Sequence, residues 1–478
     1  VVNKSTKAIV LAAGKGTRMK SKYPKVLHKI MGKSLIERVL NAINTMDIDE
    51  IFVVVGHQSE SVKNHIVETC NKNIKCILQE PQLGTGHAVY QVYGNLINFE
   101  GTLMILCGDT PLLREATLNK FLEAHISSAS DLSILSANLD NPANYGRIVR
   151  GIEGTVIKIV EEKDASDSQK KISEINTGVY CIEWTKISPA FLELNTNNAQ
   201  GEYYLTDIVE WATNKELRVN AHALAKEDEI FGINSQVDLA QAAKLLKDRK
   251  IKELMSSGVT VVDPVNTWIS PETVIEKDTT ILPGCYIEGT NYIASGCTIG
   301  PNTCIKGNVD LGPENNVSMS QLENIATDAN CSIGPFANLR DGVILGKKVR
   351  IGNFVELKTS KIGDNTNAAH LAYIGNSELG TEVNVGAGTI TANYNALTKE
   401  KNTTIIEDKV KIGSNCVLVA PVTVKEAANV AAGSVITKEV PAGSLAIARQ
   451  KQANMEGWVT RKIRQIEKKQ LEETKSGS

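Results

Sequence analysis

Ile281-Leu-Pro-Gly-Cys-Tyr-Ile287-Glu-Gly-Thr-Asn-Tyr-Ile293-Ala-Ser-Gly-Cys-Thr-Ile299-Gly-Pro-Asn-Thr-Cys-Ile305 puts an isoleucine at every sixth position. The same interval runs outward to Ile275 and Ile269 on one side and to Leu311 on the other. An amphipathic helix repeats near 3.6 residues and a half-buried strand near 2, so neither accounts for a strict six. A prism-shaped parallel β-helix does. One short strand plus a turn makes a face, three faces make a coil, and the aliphatics stack on their counterparts in the coils above and below. The ladder resumes at Ile333, Leu339, Leu345, Ile351 and Leu357, and again at Ile412, Leu418, Val424, Val430 and Ile436, and it slips between these runs. Gly300, Gly312, Gly334, Gly346, Gly352 and Gly413 each follow a rung, as a tight corner where a Cβ is costly would require.

The chain of 478 residues is too long for one ordinary core, and two or three domains are expected. Apolar residues at 42% and charged residues at 22% are typical of a soluble globular protein, and a formal charge of -2 gives no reason to expect a nucleic-acid partner. Nine cysteines without a CxxC pair argue for a reducing compartment, and Cys285, Cys297, Cys304 and Cys331, inside the ladder, read as buried small thiols. No signal peptide is read at Val1–Lys7, and no apolar run has membrane-spanning length, so the expectation is a cytoplasmic protein without membrane insertion.

From Lys7 to about Asn220, short apolar runs alternate with amphipathic stretches, which predicts a largely parallel sheet flanked by helices. Strands are expected at Ala8–Ala12, Ile51–Val55, Ile74–Leu78 and Leu103–Cys107, and helices at Leu35–Met46, Gly86–Leu96 and Thr117–His125. This is a Rossmann-like α/β outline whose ligand belongs at the carboxyl ends of the strands. A further helix of about twenty residues follows Asn234, with Val237, Ala240, Ala243, Leu246, Ile251 and Leu254 on its apolar side, and Asn234 is a candidate cap near its start.

The first strand runs into Leu11-Ala-Ala-Gly-Lys-Gly-Thr-Arg-Met19. Gly14 and Gly16 let backbone N–H groups approach an anion, and Lys15 and Arg18 neutralise it, so a phosphate cradle is the physical reading beside a plain tight turn. Neither the Walker A spacing nor a dinucleotide fingerprint is present. Lys25, after Pro24, is a third cation that the turn would return to the same strand ends, or else a surface lysine. Gln79 offers a donor and an acceptor to a base edge, while Gly84 and Thr85 permit close contact with a flat ring or ribose. Asp109, at the carboxyl end of a strand beside Gly108, stands where a Mg²⁺ bridging substrate phosphates would be held, unless it only shapes the turn into Pro111. Tyr145-Gly-Arg147, Ile159-Val-Glu-Glu-Lys163 and Glu174-Ile-Asn-Thr-Gly178 carry mixed hydrogen-bonding groups suited to sugar hydroxyls, or to a solvated sheet edge. Where the ladder slips, His370 is the best general-base candidate, a structural histidine being the alternative. Asn393 to Thr404 reads as a loop projecting from the prism, and Trp458 to Lys475 as a mildly basic helix.

Taken together, the loop from Leu11 to Met19, Pro24-Lys25, Gln79, Gly84-Thr85-Gly86, Gly108-Asp109, Tyr145-Gly-Arg147, Glu174 to Gly178 and Asn234 closely resemble the sugar-1-phosphate nucleotidyltransferases. With the ladder attached, nearly the whole chain resembles the bacterial bifunctional N-acetylglucosamine-1-phosphate uridyltransferases and glucosamine-1-phosphate acetyltransferases. The resemblance implies a nucleotidyltransferase domain over 1–234, a connecting helix over 235–257, a left-handed hexapeptide-repeat β-helix over 258–448 and a tail over 449–478. It implies acetyl transfer from acetyl-CoA to glucosamine-1-phosphate, then uridylyl transfer from UTP, for cell-envelope synthesis. Arg18 and Lys25 would stabilise the UTP phosphates and the leaving pyrophosphate. Leu11, Gly14, Lys25, Gln79, Gly84 and Thr85 would hold the nucleotide, Gly146, Glu161, Asn176 and Thr177 the amino sugar, and Asp109 and Asn234 the Mg²⁺, with Asn234 also in the UDP-sugar set.

In the β-helix the same resemblance makes His370 the base. It assigns Arg340 and Lys358 to the sugar phosphate, Tyr373 and Asn384 to the sugar, and Glu356 to orienting local hydrogen bonds. Acetyl-CoA would contact Ala387, Asn393, Tyr394, Ser414, Ala432 and Arg449, and the assembly would be a homotrimer whose projecting loops and tails complete neighbouring sites. Two positions depart from the family pattern. Cys107 stands where Tyr is frequent, and Asp341 follows Arg340 where Pro is usual. The competing readings are nucleotidyl transfer alone with a noncatalytic β-helix, and a noncatalytic scaffold; the His370 and Tyr373 constellation opposes the first, and the intact Arg18, Lys25, Asp109 and Asn234 oppose the second.

Overall fold

The computed structural model describes residues 5–70 and 74–476. It divides into two compact units, Val1–Leu254 with Ile269–Glu272, and Met255–Trp268 with Thr273–Ser478. The reading of Val1–Lys7 falls mostly outside the described residues.

In the first unit, β1 (Thr6–Ala12), β2 (Glu50–Val55), β3 (Ile74–Leu78) and β4 (Thr102–Cys107) are parallel, with β1 between β4 and β2 and β3 outside β2. Their runs are apolar throughout because both faces are covered. Ile9, Phe52, Val54, Leu103 and Ile105 face a core closed by α3 (Thr85–Tyr90). The alternate residues Ala8, Val10, Val53, Val55, Met104 and Leu106 face α1 (Leu35–Asn44), α2 (Ser59–Thr69) and α4 (Glu115–Ser127) on the other side. α1 begins where the Ser34 hydroxyl accepts the Glu37 N–H at 3.2 Å, a side-chain cap.

The sheet continues through β5 (Leu132–Asn138), β6 (Arg147–Arg150), β7 (Val156–Val160), β8 (Glu174–Glu183) and β9 (Val219–His222). β8 inserts antiparallel between β4 and β5, so the sheet is mixed at this side. The helix expected over Gly86–Leu96 is two pieces, α3 and a 3-10 turn at Tyr93–Leu96. Gly94 lowers helix propensity there, and the tighter turn keeps Val89, Val92 and Leu96 buried together. After α5 (Asp207–Asn214), the helix α6 (Gln236–Ser256) buries Ala242, Leu246, Ile251 and Leu254, but Val237 is 75% exposed and Ala240 is also exposed. Arg249 decides this facing, because its guanidinium donates to Leu112 O and to the Asp228 carboxylate, each at 3.1 Å. The buried ammonium-bearing stems of Lys247 and Lys250 reach Asp248 and Glu253 at 2.9 and 2.7 Å.

The second unit is a parallel β-helix. Ile281 pairs with Ile299 and Ile287 with Ile305, so one coil advances eighteen residues over three faces. Every rung from Ile269 to Leu311 is buried. The slips are corners shortened by one residue: Leu322 pairs with Leu339 and Leu357 with Ile374, seventeen residues apart. Between Leu379 and Ile406 the coil lengthens to twenty-seven residues, and the excess is the projecting loop, where Tyr394 bridges Lys401 and Leu397 is 94% exposed.

Glycine after a rung has two physical origins. Gly300 and Gly334 take φ of 109° and 102°, a region that favours glycine. Gly312, Gly346, Gly352 and Gly413 have no such torsion and are small because the next coil is close: a Cβ on Gly352 would lie 1.9 Å from Ala369 O. All nine cysteines are free, and of the four read as buried, Cys304 is only half-buried because it sits beside its rung on the outward side. The tail carries a helix α7 (Trp458–Ser476). Among the described residues no helix is long and apolar enough to cross a membrane.

The rung contacts set a stability expectation. Ile305→Ala removes a fully buried side chain between two coils and should cost about 2–5 kcal/mol. In urea unfolding followed by far-UV circular dichroism the β-helix transition should move to lower denaturant; an unchanged midpoint would contradict the stacked interior.

Candidate active sites

The carboxyl ends of β1, β3 and β4 open on a cleft of about 500 Å³. Leu11, Gly14, Lys15, Gly16, Lys25, Gln79, Gly84, Thr85 and Asp109 all line it, so segments remote in the chain meet as the α/β outline predicts. Gly16 holds φ 58°, and a Cβ there would stand 2.7 Å from Lys25 Cβ; the glycine is what lets Lys25 pack under the loop. A Cβ on Gly84, at φ 119°, would meet Tyr203 O at 2.5 Å. Arg18 is exposed in the turn Thr17–Met19 and is not among the residues lining the cleft.

Gln79 is 2% exposed, its amide donates to Gly84 O at 3.0 Å, and it lies 3.1 Å from His87 Nδ1. Its head therefore braces the glycine loop as well as walling the cleft. The Thr85 hydroxyl accepts the Leu205 N–H at 3.1 Å, which ties in the segment bearing Glu202. Gln82 and Glu202 also line the cleft and were not singled out from sequence. Gln82 stood inside the recognised Gln79–Gly86 stretch; Glu202 carried no local signal, because a loop more than a hundred residues away brings it in.

Lys25 Nζ lies 2.5 Å from Asp109 Oδ2 and donates to Asn234 Oδ1 at 3.2 Å. The Asn234 carboxamide is available for this because Ser235 supplies the helix cap: its hydroxyl accepts from Asp238 N, and the Asp238 carboxylate accepts from Asn234 N. Two hard oxygen donors thus converge on one cationic position beside the strand-end cleft. That donor chemistry fits Mg²⁺ sharing its shell with waters and substrate phosphates. It is not a dedicated protein cage, and among the described residues no cluster of three metal-ligating His, Cys, Asp or Glu side chains exists.

Among the residues expected to hold the sugar, Asn176 N donates to Gly146 O at 2.9 Å, and Asn176 Nδ2 donates to the Tyr180 hydroxyl at 2.7 Å. A Cβ on Gly146 would lie 3.6 Å from both Glu161 oxygens, so Gly146, Asn176 and Glu161 are neighbours. Burial pushes the Glu161 carboxyl up, against a hydrogen bond from Thr206. Thr177 is spent elsewhere, its hydroxyl donating to Leu135 O at 2.7 Å, within the sheet. The Cys107 thiol reaches towards Gly178 O at 3.7 Å, and burial pushes it up to about 12. A further cavity of about 570 Å³ adjoins Glu161, Asp164, Tyr204 and Asp207, and burial pushes the Asp207 carboxyl up to about 6, with Glu210 and Asp164 adding to it.

In the β-helix, register does the positioning. Arg340 pairs with Lys358, Glu356 with Tyr373 and Asn353 with His370 on successive coils. Arg340 contacts Glu356 through Nη2 at 2.5 Å and Nε at 3.2 Å, which raises the guanidinium above its ordinary value, and Lys358 Nζ lies 3.4 Å from Asp341 Oδ2. His370 is exposed and Asn384 is exposed two short strands on. Tyr373 is half-buried, and a Cβ on Gly375 would stand 2.5 Å from its hydroxyl and 2.9 Å from Asn393 Nδ2, so these three are neighbours. Asn393 is buried and donates to Asn376 Oδ1 at 2.6 Å, whereas Tyr394 is 57% exposed. Ala387 O accepts from Asn415 N and Ser414 O from Gly433 N, which stacks Ala387, Ser414 and Ala432 along one corner. The Arg449 Cδ lies 3.9 Å from where a Cβ on Gly433 would be.

The nucleotidyl transferase family model matches residues 7–228. A bifunctional protein GlmU of Acetivibrio thermocellus is 44% identical over 95% of this chain and 97% of its own. The GlmU of Clostridioides difficile is 43% identical over 95% and 98%, and that of Clostridium perfringens 46% over 95% and 98%. Among solved structures, a UDP-glucose pyrophosphorylase complexed with UDP-glucose aligns with 50% of this chain and 97% of its own, at 18% identity and a TM-score of 0.43.

The Asp207 carboxyl sets a pH expectation. A carboxyl raised from 3.8 to about 6 favours the fold while protonated, and that contribution is lost as pH rises through about 6. Asp207→Asn should therefore raise the thermal midpoint at pH 8, by a stability gain of about 1 kcal/mol after allowing for solvent screening. At pH 4, close to the ordinary carboxyl value, little gain is expected. Equal shifts at both pH values would show that charge is not the cause.

Proposed function

The chain belongs to the family of the bifunctional GlmU proteins, and on that premise we propose how its two units divide the work. It is a bifunctional transferase that acetylates glucosamine-1-phosphate with acetyl-CoA and then transfers uridylyl from UTP, producing UDP-N-acetylglucosamine and pyrophosphate. The observation that carries the assignment to two sites is that the bifunctional relatives match 95% of the chain, across both units.

Uridylyl transfer belongs to the strand-end cleft. The phosphate oxygen of N-acetylglucosamine-1-phosphate attacks the α-phosphorus of UTP while the bond to pyrophosphate breaks, and no protein nucleophile is required. The work is positioning and charge neutralisation. Backbone N–H groups of the Gly14–Gly16 loop face the phosphates, and Lys25, released from Asp109 and Asn234, follows the developing charge. Arg18, exposed beside the loop, reaches the outer phosphates from solvent. The buried Gln79 fixes the loop that borders the base, and Gly146, Glu161 and Asn176 orient the sugar. Asp109 and Asn234 are the groups that would hold Mg²⁺, which when bound neutralises phosphate charge.

Acetyl transfer belongs to the β-helix. The amine of glucosamine-1-phosphate attacks the thioester carbonyl, the C–S bond breaks and the CoA thiolate leaves, while His370 takes the amine proton. Arg340 and Lys358 receive the sugar phosphate; Tyr373 and Asn384 orient the ring; the corner column of Ala387, Ser414 and Ala432, with Asn393, Tyr394 and Arg449, borders acetyl-CoA. Small residues in that column leave room for the thioester arm. The homotrimer, the cytoplasmic setting and the role in cell-envelope synthesis follow from the same family reading, and a solution mass three times that of one chain is the corresponding result.

One assay tests the division. With glucosamine-1-phosphate, acetyl-CoA, UTP and Mg²⁺, CoA thiol release and pyrophosphate are followed separately. His370→Ala should reduce thiol release about 10²–10⁴-fold while sparing pyrophosphate from pre-acetylated sugar phosphate. Asp109→Ala should do the reverse. Parallel loss of both activities in folded variants would refute separate sites.

A further inference from the structure

Asp341 occupies a position with two unusual properties. Its backbone sits at φ 53°, in the left-handed region, where proline, fixed near φ -65°, cannot go. Its N–H donates to Glu323 O at 3.1 Å and its own carbonyl accepts the Thr359 hydroxyl at 3.0 Å, so the turn is held from both sides by neighbouring coils. The turn aims the carboxylate along the column of cations, 3.4 Å from Lys358 Nζ. Arg340, on the preceding coil in register with Lys358, also faces a carboxylate, that of Glu356. The four side chains Arg340, Lys358, Glu356 and Asp341 therefore sum to no net charge, although two of them are to receive a dianionic phosphate monoester.

We infer that Asp341 is a positioning residue that competes with the substrate phosphate for Lys358 and so weakens capture of glucosamine-1-phosphate. The two carboxylates differ in what they offer. Glu356 holds Arg340 through two nitrogens, and it stands in register beside Tyr373, so it orients the guanidinium within the site. Asp341 makes a single longer contact to a flexible ammonium and is 47% exposed, so its pairing is the weaker one and the one that an incoming phosphate displaces. Until then it presents a negative charge to an anion. Once displaced it swings into solvent, where its charge is screened, so the cost falls on binding and not on the subsequent acetyl transfer.

The inference rests on the reading that Lys358 receives the sugar phosphate, and the test separates the two. Asn tolerates the left-handed region, so Asp341→Asn removes the charge and keeps the turn. In thiol-release kinetics at low salt it should lower KM for glucosamine-1-phosphate about three- to tenfold with kcat little changed, and the gap should close at about 0.5 M salt. Lys358→Met should raise KM, and adding Asp341→Asn to it should give little further change, because the competition needs Lys358. If Asp341→Asn leaves KM unchanged or raises it while Lys358→Met raises it, the competition is refuted and the phosphate site stands. The same reduction of KM with and without Lys358 would also refute action through that ammonium. If Lys358→Met leaves KM unchanged, the phosphate reading itself fails and the inference falls with it.

Discussion

The interior stack of aliphatic rungs is the constraint on which the second unit depends. Most of its strands are two residues long, such as Thr280–Ile281 and Thr298–Ile299, and so carry few hydrogen bonds of their own. What holds them is the buried side chain at each rung, repeated in the coil above and the coil below. Because side chains alternate in and out, a one-residue slip would turn a rung to solvent, and the stack therefore fixes the register. A fixed register also fixes the outside. Arg340, Lys358 and Gly375 succeed one another at the strand spacing of about 4.8 Å, as do Glu356 and Tyr373. The constellation proposed for acetyl transfer inherits its geometry from the side chains buried inside the coils.

The first unit reaches a comparable end by different means. Its strands are longer and buried on both faces, and its cleft lies where those strands stop. Both units hold cations next to carboxylates: Lys25 beside Asp109, Arg340 beside Glu356, Lys358 beside Asp341. Such pairing keeps a partly buried ammonium from standing uncompensated.

Much of this was legible in the chain, for reasons that differ by segment. The six-residue ladder announced the β-helix because each coil repeats the same burial requirement, and the slips located the segment bearing His370. The parallel strands were legible as uninterrupted apolar runs, and Gly84, Thr85 and Asp109 by their place after such runs. Legibility failed where tertiary contacts outweighed local pattern. Helix α6 faces the core through Ala242 and not Val237, because the Arg249 contacts to Leu112 and Asp228 orient it. Thr177, beside Asn176 in the same motif, bonds into the sheet. Glu202 arrives in the cleft from a distant loop, and Arg18, adjacent to the phosphate loop in sequence, points into solvent outside it.

The glycines after the rungs show the boundary most clearly. Periodicity alone determined that a turn with a small residue belongs at Gly300, Gly334, Gly352 and Gly413. Only the packed coils decided why: backbone torsion together with the preceding coil at the first two, and at the others the next coil, close enough that a Cβ would overlap its backbone. The same division holds for function. Residue types and their spacing determined the kinds of group at each site and the family they resemble. Which cation faces which carboxylate was decided by register between coils and by convergence of strand ends, since a charge pair depends on distances of a few ångströms that spacing along the chain does not specify.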